Sequence, residues 1–298
     1  MSVQTVKATI NGQEYNLTYN SNSGKWEATM TAPGKSSFNM TGGYYPVSVT
    51  ATDDAGNVTT VSSSDATLGS SLRLKVKERV APVIAITYPS AGSYITSNKP
   101  TIKWTATDDD SGIDTNTASV IIDGGSAITT GITKTAITGG YEFSYTPTTV
   151  LGDGSHTVAV NVKDNDGNAA TQKAVTFSID TIAPVLTITS PAEGIVTNTA
   201  SCVVSGKTND ATSSPVTVSI NGTAVTVNSD GSFSKSISLN EGSNTITIVA
   251  TDAAGKSTTV TRTIILDTGA PSFVSVTINP NPVDAGKTYV ISVSVTDV

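Results

Sequence analysis

Three segments of this chain end in the same loop, in which an alternating, strand-like run closes on an aspartate followed by a glycine. The copies are residues 47–57 (VSVTATDDAGN), 158–168 (VAVNVKDNDGN) and 246–256 (ITIVATDAAGK). The aspartates that share one register, Asp53, Asp164 and Asp252, are 111 and then 88 residues apart, about the length of one small β-sandwich. The repeat therefore predicts a string of similar β-domains rather than one large fold.

Composition agrees with an all-β chain. Only 14% of the 298 residues are charged and 5% are aromatic, and no stretch has the periodicity of a substantial amphipathic helix. The net charge of −7 argues against binding to nucleic acid, which needs clustered Lys and Arg. The one basic run, residues 73–79 (RLKVKER), alternates with apolar residues and predicts a strand with a solvated face. No apolar run is long enough to predict membrane insertion.

The joints between copies repeat as well. Residues 79–90, 181–190 and 268–277 each place Ala-Pro before an alternating strand. Proline fixes φ and has no N–H to donate, so it suits the first residue of an edge strand and stiffens the joint. We predict an atypical domain at 1–80, immunoglobulin-like domains at 81–183 and 184–270, and the first strands of a further domain at 271–298. Such short joints predict a semi-rigid rod.

The two central segments each have the strand pattern of an immunoglobulin-type sandwich. In the third segment seven short strands can be counted, with a hairpin at Asn221-Gly222, and the second segment has Asp123-Gly124 at the same place. Trp104 falls on the second strand of its domain, where we expect it to pack between the sheets rather than to stack on a sugar.

The two ends of the chain depart from this plan. Only eleven residues precede Gly12, whereas the equivalent Gly124 comes 42 positions after Pro82, so the first domain lacks the two opening strands. Either the additional residues around 62–71 fold back over the gap, or the uncovered sheet docks on a partner through residues 1–80. The last 28 residues supply two strands, and a third hypothesis is that copies join head to tail by exchanging them.

Little in the sequence favours catalysis. Cys202, the single cysteine, lies on a strand and is expected to be a buried structural thiol. His156, the single histidine, aligns with Tyr45 and Asn244, which indicates a hydrogen-bonding corner residue. The carboxylates lie in loops of separate domains, so we do not expect them to converge on one cleft, as a glycosidase would require. We therefore expect that the protein is not an enzyme.

The D-x-A-G-N loops, the D-T-x-A-P joints and the seven short strands resemble the bacterial immunoglobulin-like (Big-type) repeat families. Those families occur in adhesins, surface stalks, and tail or capsid proteins of bacteriophages. The resemblance covers the whole chain and implies spacers or weak surface-binding units. Residues 1–10 lack the pattern of a secretion signal, which favours the phage proteins unless Met1 is not the native start.

The resemblance also implies a cofactor, because aspartates at similar places in calcium-bound adhesin repeats clamp an ion between neighbouring domains. The loop 108–114 (DDDSGID) is the densest acidic segment. The competing interpretation is ordinary turn chemistry, in which Asp accepts backbone N–H groups and Gly takes the positive φ. The candidate calcium ligands are Asp108, Asp109, Asp110, Asp114, Asp164, Asp166, Asp180, Asp252 and Asp267.

The sequence thus predicts a structural or accessory protein of a phage or tail-like particle, located on the virion. Its partners would be other virion or surface-structure proteins, reached through residues 1–80, and the later domains would touch host-surface glycans. The alternative is a bacterial cell-surface adhesin or stalk module.

Overall fold

The computed structural model describes residues 2–297 and confirms an all-β chain. It forms two compact units, the first ending at Ile179 and the second beginning at Asp180. One short 3-10 turn, Gly69–Leu72, accompanies the strands. Within the described part of the chain, no helix has the length and apolarity to cross a membrane.

The first six strands are β1 (Val3–Ile10), β2 (Gln13–Asn20), β3 (Lys25–Glu27), β4 (Tyr45–Asp53), β5 (Val58–Ser62) and β6 (Arg73–Leu74). They form one sheet, in the order β3-β2-β1-β4-β5, with β6 paired to β4. Asn11 and Gly12 turn the β1–β2 hairpin with φ of 49° and 77°, as the Asn-Gly signal requires.

One face of this sheet is apolar. Cross-strand pairing aligns Val6 with Leu17 and with Ala51, and Ala8 with Val49, so alternate residues of three strands share that face. No second sheet forms from residues 2–80, and loops partly cover the face instead. A groove of about 850 Å³ remains, and its lining includes Ile10, Tyr15, Met30, Pro33 and Leu74.

The rest of the first unit is a two-sheet sandwich. Its strands are β7 (Val83–Tyr88), β8 (Tyr94–Ile95), β9 (Ile102–Thr107), β10 (Ile113–Ile122), β11 (Thr133–Ile137), β12 (Gly140–Tyr145), β13 (Gly154–Asp164) and β14 (Lys173–Ile179). One sheet has the order β10-β13-β14-β8 and the other β11-β12-β9-β7. Trp104 is fully buried between them, stacked on Phe143 with ring centroids 5.4 Å apart, which confirms its predicted place in the core.

The second unit contains a similar sandwich. Its strands are β15 (Val185–Ser190), β16 (Ile195–Thr197), β17 (Ser201–Asn209), β18 (Thr217–Ile220), β19 (Thr223–Val225), β20 (Ser232–Ser238), β21 (Gly242–Thr251) and β22 (Ser257–Leu266). They form the sheets β15-β17-β20 and β16-β22-β21-β18-β19. Asn221 and Gly222 turn the predicted β18–β19 hairpin with φ of 46° and 76°. The strands expected from the sequence did not include β16, a three-residue strand parallel to β22.

The final two strands, β23 (Ser272–Asn279) and β24 (Val290–Thr296), pair only with each other. All their residues are exposed. Their pairing has the same antiparallel form as β7 with β9 and β15 with β17, the strands that open the two sandwiches.

Candidate metal centres

The repeated loops are built alike, and the predicted turn chemistry is confirmed at each of them. In every copy the aspartate N–H donates to the carbonyl four residues later, and the aspartate Oδ1 accepts the N–H of that same residue. The loop glycine takes a positive φ, +85° at Gly56, +95° at Gly167 and +86° at Gly255. The N–H(i+4)···Oδ1 distances are 2.9 Å at Asp53, 2.8 Å at Asp164 and 2.8 Å at Asp252.

In the first unit, the loop aspartate meets two further carboxylates. Ligand oxygens of Glu78, Asp108 and Asp164 all lie within 4.8 Å of one another. Asp108 follows β9, Asp164 ends β13, and Glu78 lies in the segment that leads into β7. Asp164 is 1% exposed, and its Oδ2 accepts the side-chain amide of Asn168 at 2.7 Å.

The second unit holds an equivalent cluster of Asp180, Asp210 and Asp252, again with ligand oxygens within 4.8 Å of one another. Asp180 is fully buried, and its carboxylate accepts hydrogen bonds from the hydroxyls of Thr212, at 2.8 Å, and Ser213. Asp210 Oδ1 accepts the backbone N–H groups of Thr212 and Ser213, both at 2.8 Å. This acidic loop is therefore held by its own hydroxyl and amide donors.

Two opposing effects act on the pKa of Asp180. Burial raises it, but hydrogen bonds from Ser213 and Thr212 and the positive charge of Lys256 outweigh burial, so the pKa falls below that of an ordinary aspartate. Asp180 is therefore ionised at neutral pH, inside a cluster that holds two more carboxylates.

Asp252 differs in one respect from Asp164, its counterpart in the first unit. Its side chain is 6% exposed, and its Oδ2 has no hydrogen-bond donor. At the equivalent position Asn168 donates to Asp164, but the residue at that place in the second unit is Lys256. Within the described residues, the Lys256 ammonium forms no ion pair.

Sequence reasoning found only part of each cluster. Of the predicted ligands, Asp108, Asp164, Asp180 and Asp252 lie in the clusters, whereas Glu78 and Asp210 were missed. A signal for Glu78 exists, because it precedes Pro82 by four residues, as Asp180 precedes Pro184. Asp210 lies 102 residues after Asp108, which is the spacing from Glu78 to Asp180.

The remaining predicted ligands make other contacts. Asp114 and Asp267 accept backbone N–H groups of Asn116 and Gly269, two residues later. Asp109, Asp110 and Asp166 belong to the joint within the first unit that connects residues 35–39 and 77–78 to the second-domain loops.

That joint is a set of hydrogen bonds. The N–H of Ser36 donates to both carboxylate oxygens of Asp110, at 2.9 and 3.1 Å, and the N–H of Glu78 donates to Asp166 Oδ2 at 2.9 Å. The ammonium groups of Lys35 and Lys77 donate to the carbonyls of Asp109 and Asp166. The acidic loops therefore hold the N-terminal sheet against the first sandwich.

His156 is the predicted corner residue. Its Nδ1 lies 2.8 Å from Asp123 Oδ2, and its Nε2 lies 2.7 Å from the Gly152 carbonyl oxygen. Burial lowers the pKa of His156, but these two acceptors outweigh it, so the pKa is raised from 6.5. Asn244, the aligned residue, likewise donates its amide to the carbonyl of Asn240. These contacts give His156 a structural role.

Cys202 is only partly buried, and not fully as expected, because it lies on β17 at the margin of the second-unit core. Burial nevertheless raises the pKa of its thiol, which disfavours the reactive thiolate.

Taken together, the chain is a tandem array of immunoglobulin-like domains. Residues 82–160 match the family model of a bacterial Ig domain, and residues 184–268 match that of glucodextranase domain B. Arrays of this class are typically non-catalytic, and a bacterial Ig domain suggests a protein that is extracellular or exposed at a surface.

The similarity to individual proteins is low in sequence identity or covers only part of the chain. Bacillopeptidase F of Bacillus subtilis (strain 168) is 33% identical over 110 residues, which are 37% of this chain and 8% of that protein. Fibronectin(III)-like modules of Clostridium thermocellum CbhA are 17% identical, with a TM-score of 0.37, over 62% of this chain and 94% of that one. A tetra-tandem repeat from the extending region of a large adhesion protein is 19% identical, with a TM-score of 0.32, over 98% and 79%.

Proposed function

We propose that this chain is a non-enzymatic structural module that docks through residues 1–80 and displays its later immunoglobulin-like domains for spacing or weak contact with a host surface. The observation that carries the proposal is the N-terminal sheet, whose apolar face has no second sheet from its own segment to cover it. Loops bury Val6 and Ala8 at the centre of this face, but Tyr19 at its margin is 54% exposed, and exposed apolar surface is typical of a site that binds another protein.

The groove on that face supports the proposal. Its lining combines apolar side chains such as Ile10 and Met30 with polar ones such as Gln13. Beyond it, Tyr19 on β2 is 54% exposed, and its ring centroid lies 5.7 Å from that of Trp26. Aromatic side chains contribute most to protein–protein affinity when a partner buries them. The hydrogen bonds to Asp110 and Asp166 would hold the first sandwich in a defined position relative to the docked sheet.

The setting we favour is a bacteriophage or tail-like particle, with other virion proteins as partners and host-surface glycans as weak ligands of the later domains. A bacterial surface adhesin or stalk is the second candidate, supported by the bacterial Ig match. The complete reading frame and its neighbours distinguish the two. Neighbouring sheath, baseplate or tape-measure genes favour the particle, whereas an upstream secretion signal or a downstream cell-wall sorting motif favours the adhesin.

Docking is tested by adding the tagged full chain to particles of the source phage that lack it, followed by sedimentation. Tyr19→Asp places a charge on the apolar face, whereas Thr18→Asp places the same charge on the opposite face of the same strand. We expect wild type and T18D to sediment with the particles and Y19D to remain in solution. Equal sedimentation of both variants would contradict docking through this face, and a wild-type chain that never sediments with particles would contradict the particle setting.

A further inference from the structure

We propose that a shallow cavity on the first sandwich binds an anionic glycan, that is, a sugar that carries a carboxylate or phosphate group. The proposal deepens the weak surface contact of the later domains, and it rests on that part of the proposed function. The cavity has a volume of about 500 Å³ and is lined by Tyr88, Ser97, Lys99, Pro100, Thr101 and Lys103.

The fold places an aromatic ring and an ammonium group side by side at this cavity. Lys103 lies on β9 between the buried residues Ile102 and Trp104, so strand alternation turns its side chain to solvent. Cross-strand pairing sets Tyr88 opposite Lys103, just beyond a register shift that follows Ile86. The side chain of Tyr88 is 38% exposed, so its ring is accessible to a ligand.

The two lysines of the cavity need an acceptor from outside. An ammonium group has three N–H donors and no acceptor. Lys99 donates to the Thr148 carbonyl at 2.6 Å, which holds it beside the cavity and leaves its other N–H groups available. The side chain of Lys103 has no hydrogen bond or ion pair with another described residue. Among the described residues that line the cavity there is no Asp or Glu, so a ligand must supply the negative charge.

The second sandwich has the same strand pairing at this place but different side chains. The register shift between β7 and β9 is repeated between β15 and β17, where it follows Ile188. At the offset of 102 positions that also relates the two acidic clusters, Tyr88, Lys99 and Lys103 correspond to Ser190, Ser201 and Ser205. The aromatic and basic surface is therefore particular to the first sandwich and is not a consequence of the fold.

These groups together suit an anionic sugar. The C–H face of a pyranose ring is apolar and packs against an aromatic ring such as that of Tyr88. The ammonium groups of Lys99 and Lys103 act as compact point charges, which attract a carboxylate or a phosphate alike. The hydroxyl of Ser97 can exchange hydrogen bonds with sugar hydroxyls. Because these charges are exposed to water, each contact is weak.

The second sandwich also supplies the variants for the test. Tyr88→Ser and Lys103→Ser introduce the residue that already occupies the equivalent position of a folded sandwich. Lys173→Ser is the matched control, because Lys173 is an exposed lysine of the same sandwich, on β14, and does not line the cavity. It changes the net charge as Lys103→Ser does.

The experiment is a titration of the ¹⁵N-labelled full chain, followed by amide chemical shifts, with trigalacturonate, its neutral methyl ester, glucose 6-phosphate and inorganic phosphate. We expect an acidic sugar to shift the amides of Tyr88 and Lys103 but not those of Ser190 and Ser205. Binding of trigalacturonate alone would identify a carboxylated glycan, and binding of glucose 6-phosphate alone would identify a phosphorylated one. The methyl ester should bind about fivefold or more weakly than trigalacturonate, and Y88S and K103S should each weaken binding of the acidic sugar about threefold or more. K173S should bind as wild type does.

No shift at Tyr88 and Lys103 with either acidic sugar would overturn the proposal, as would equal binding by wild type, Y88S and K103S. A K173S variant as weak as K103S would show general attraction to charge rather than a site. Equally strong shifts with inorganic phosphate would exclude recognition of a sugar, and equally tight binding of the methyl ester would exclude recognition of its charge. Free sugars do not involve docking through residues 1–80, so failure of this titration and failure of particle docking are distinguishable.

Discussion

The N-terminal sheet should depend on Asp110 for its stability. The sheet has no second layer of its own, so its contacts with the first sandwich must replace part of the missing core. Asp110 supplies a principal contact, because both of its carboxylate oxygens accept the N–H of Ser36, a residue that is 3% exposed. Asp110→Ala would leave that N–H buried without an acceptor.

The free energy that Asp110→Ala should cost can be worked out from this one hydrogen-bonded N–H group. A hydrogen bond to a charged group contributes about 1.5–3 kcal/mol, and an orphaned buried donor costs about 1–3 kcal/mol. A loss of about 2 kcal/mol corresponds to a roughly 30-fold rise in the open population of the sheet, since about 1.4 kcal/mol is a factor of ten. Neither Asp110 nor Ser36 belongs to the core around Trp104, so the stability of that core should not change.

Native-state hydrogen exchange on the full chain measures this effect strand by strand. We expect the slow amides of β1 and β4 to lose about 30-fold in protection in D110A, with little change in β9 and β13. Asp109→Ala is the control, because the neighbouring Asp109 is exposed and contributes to the joint through its carbonyl. Equal protection of β1 and β4 in D110A and D109A would refute the dependence of the sheet on this joint.

Three further predictions concern the sandwiches. Trp104→Ala should lower the free energy of unfolding by about 3–5 kcal/mol, measured by denaturant titration, because it empties the centre of a packed core. Gly206→Ala should lower the free energy of unfolding by about 1–3 kcal/mol in the same assay, because a Cβ there would lie 2.4 Å from the carbonyl oxygen of Thr187. An unchanged free energy would contradict the close approach of β17 to β15 at this residue. The raised pKa of His156 means that its imidazolium, bonded to Asp123, stabilises the fold fully below pH 6.5 and loses this contribution as pH rises through the folded pKa. The stability of wild type relative to His156→Gln should therefore decline across that window, and a pH-independent difference would exclude the charged pair.

Much of the fold was predictable because its signals are local. The Asn221-Gly222 hairpin follows from two residues that tolerate positive φ, and the turn at Asp252 follows from one carboxylate and the N–H four residues on. The strand β16 was not predictable, because its three residues are strand-like only through parallel pairing with β22, some 70 residues later in the chain.

The all-β class, the repeat and its turns follow from the amino-acid sequence, because each depends on the conformational preferences of a few adjacent residues. Which acidic residues meet depends instead on how the strands pair and pack. Glu78 joins Asp108 and Asp164, and Asp210 joins Asp180 and Asp252, across separations of tens of residues. The adjacent aspartates of the dense loop 108–114 diverge instead, since Asp110 turns to the backbone of Ser36. The physical reason is that a cluster of carboxylates requires several strand ends to converge, and that convergence is set by the closing of the two sheets over their core.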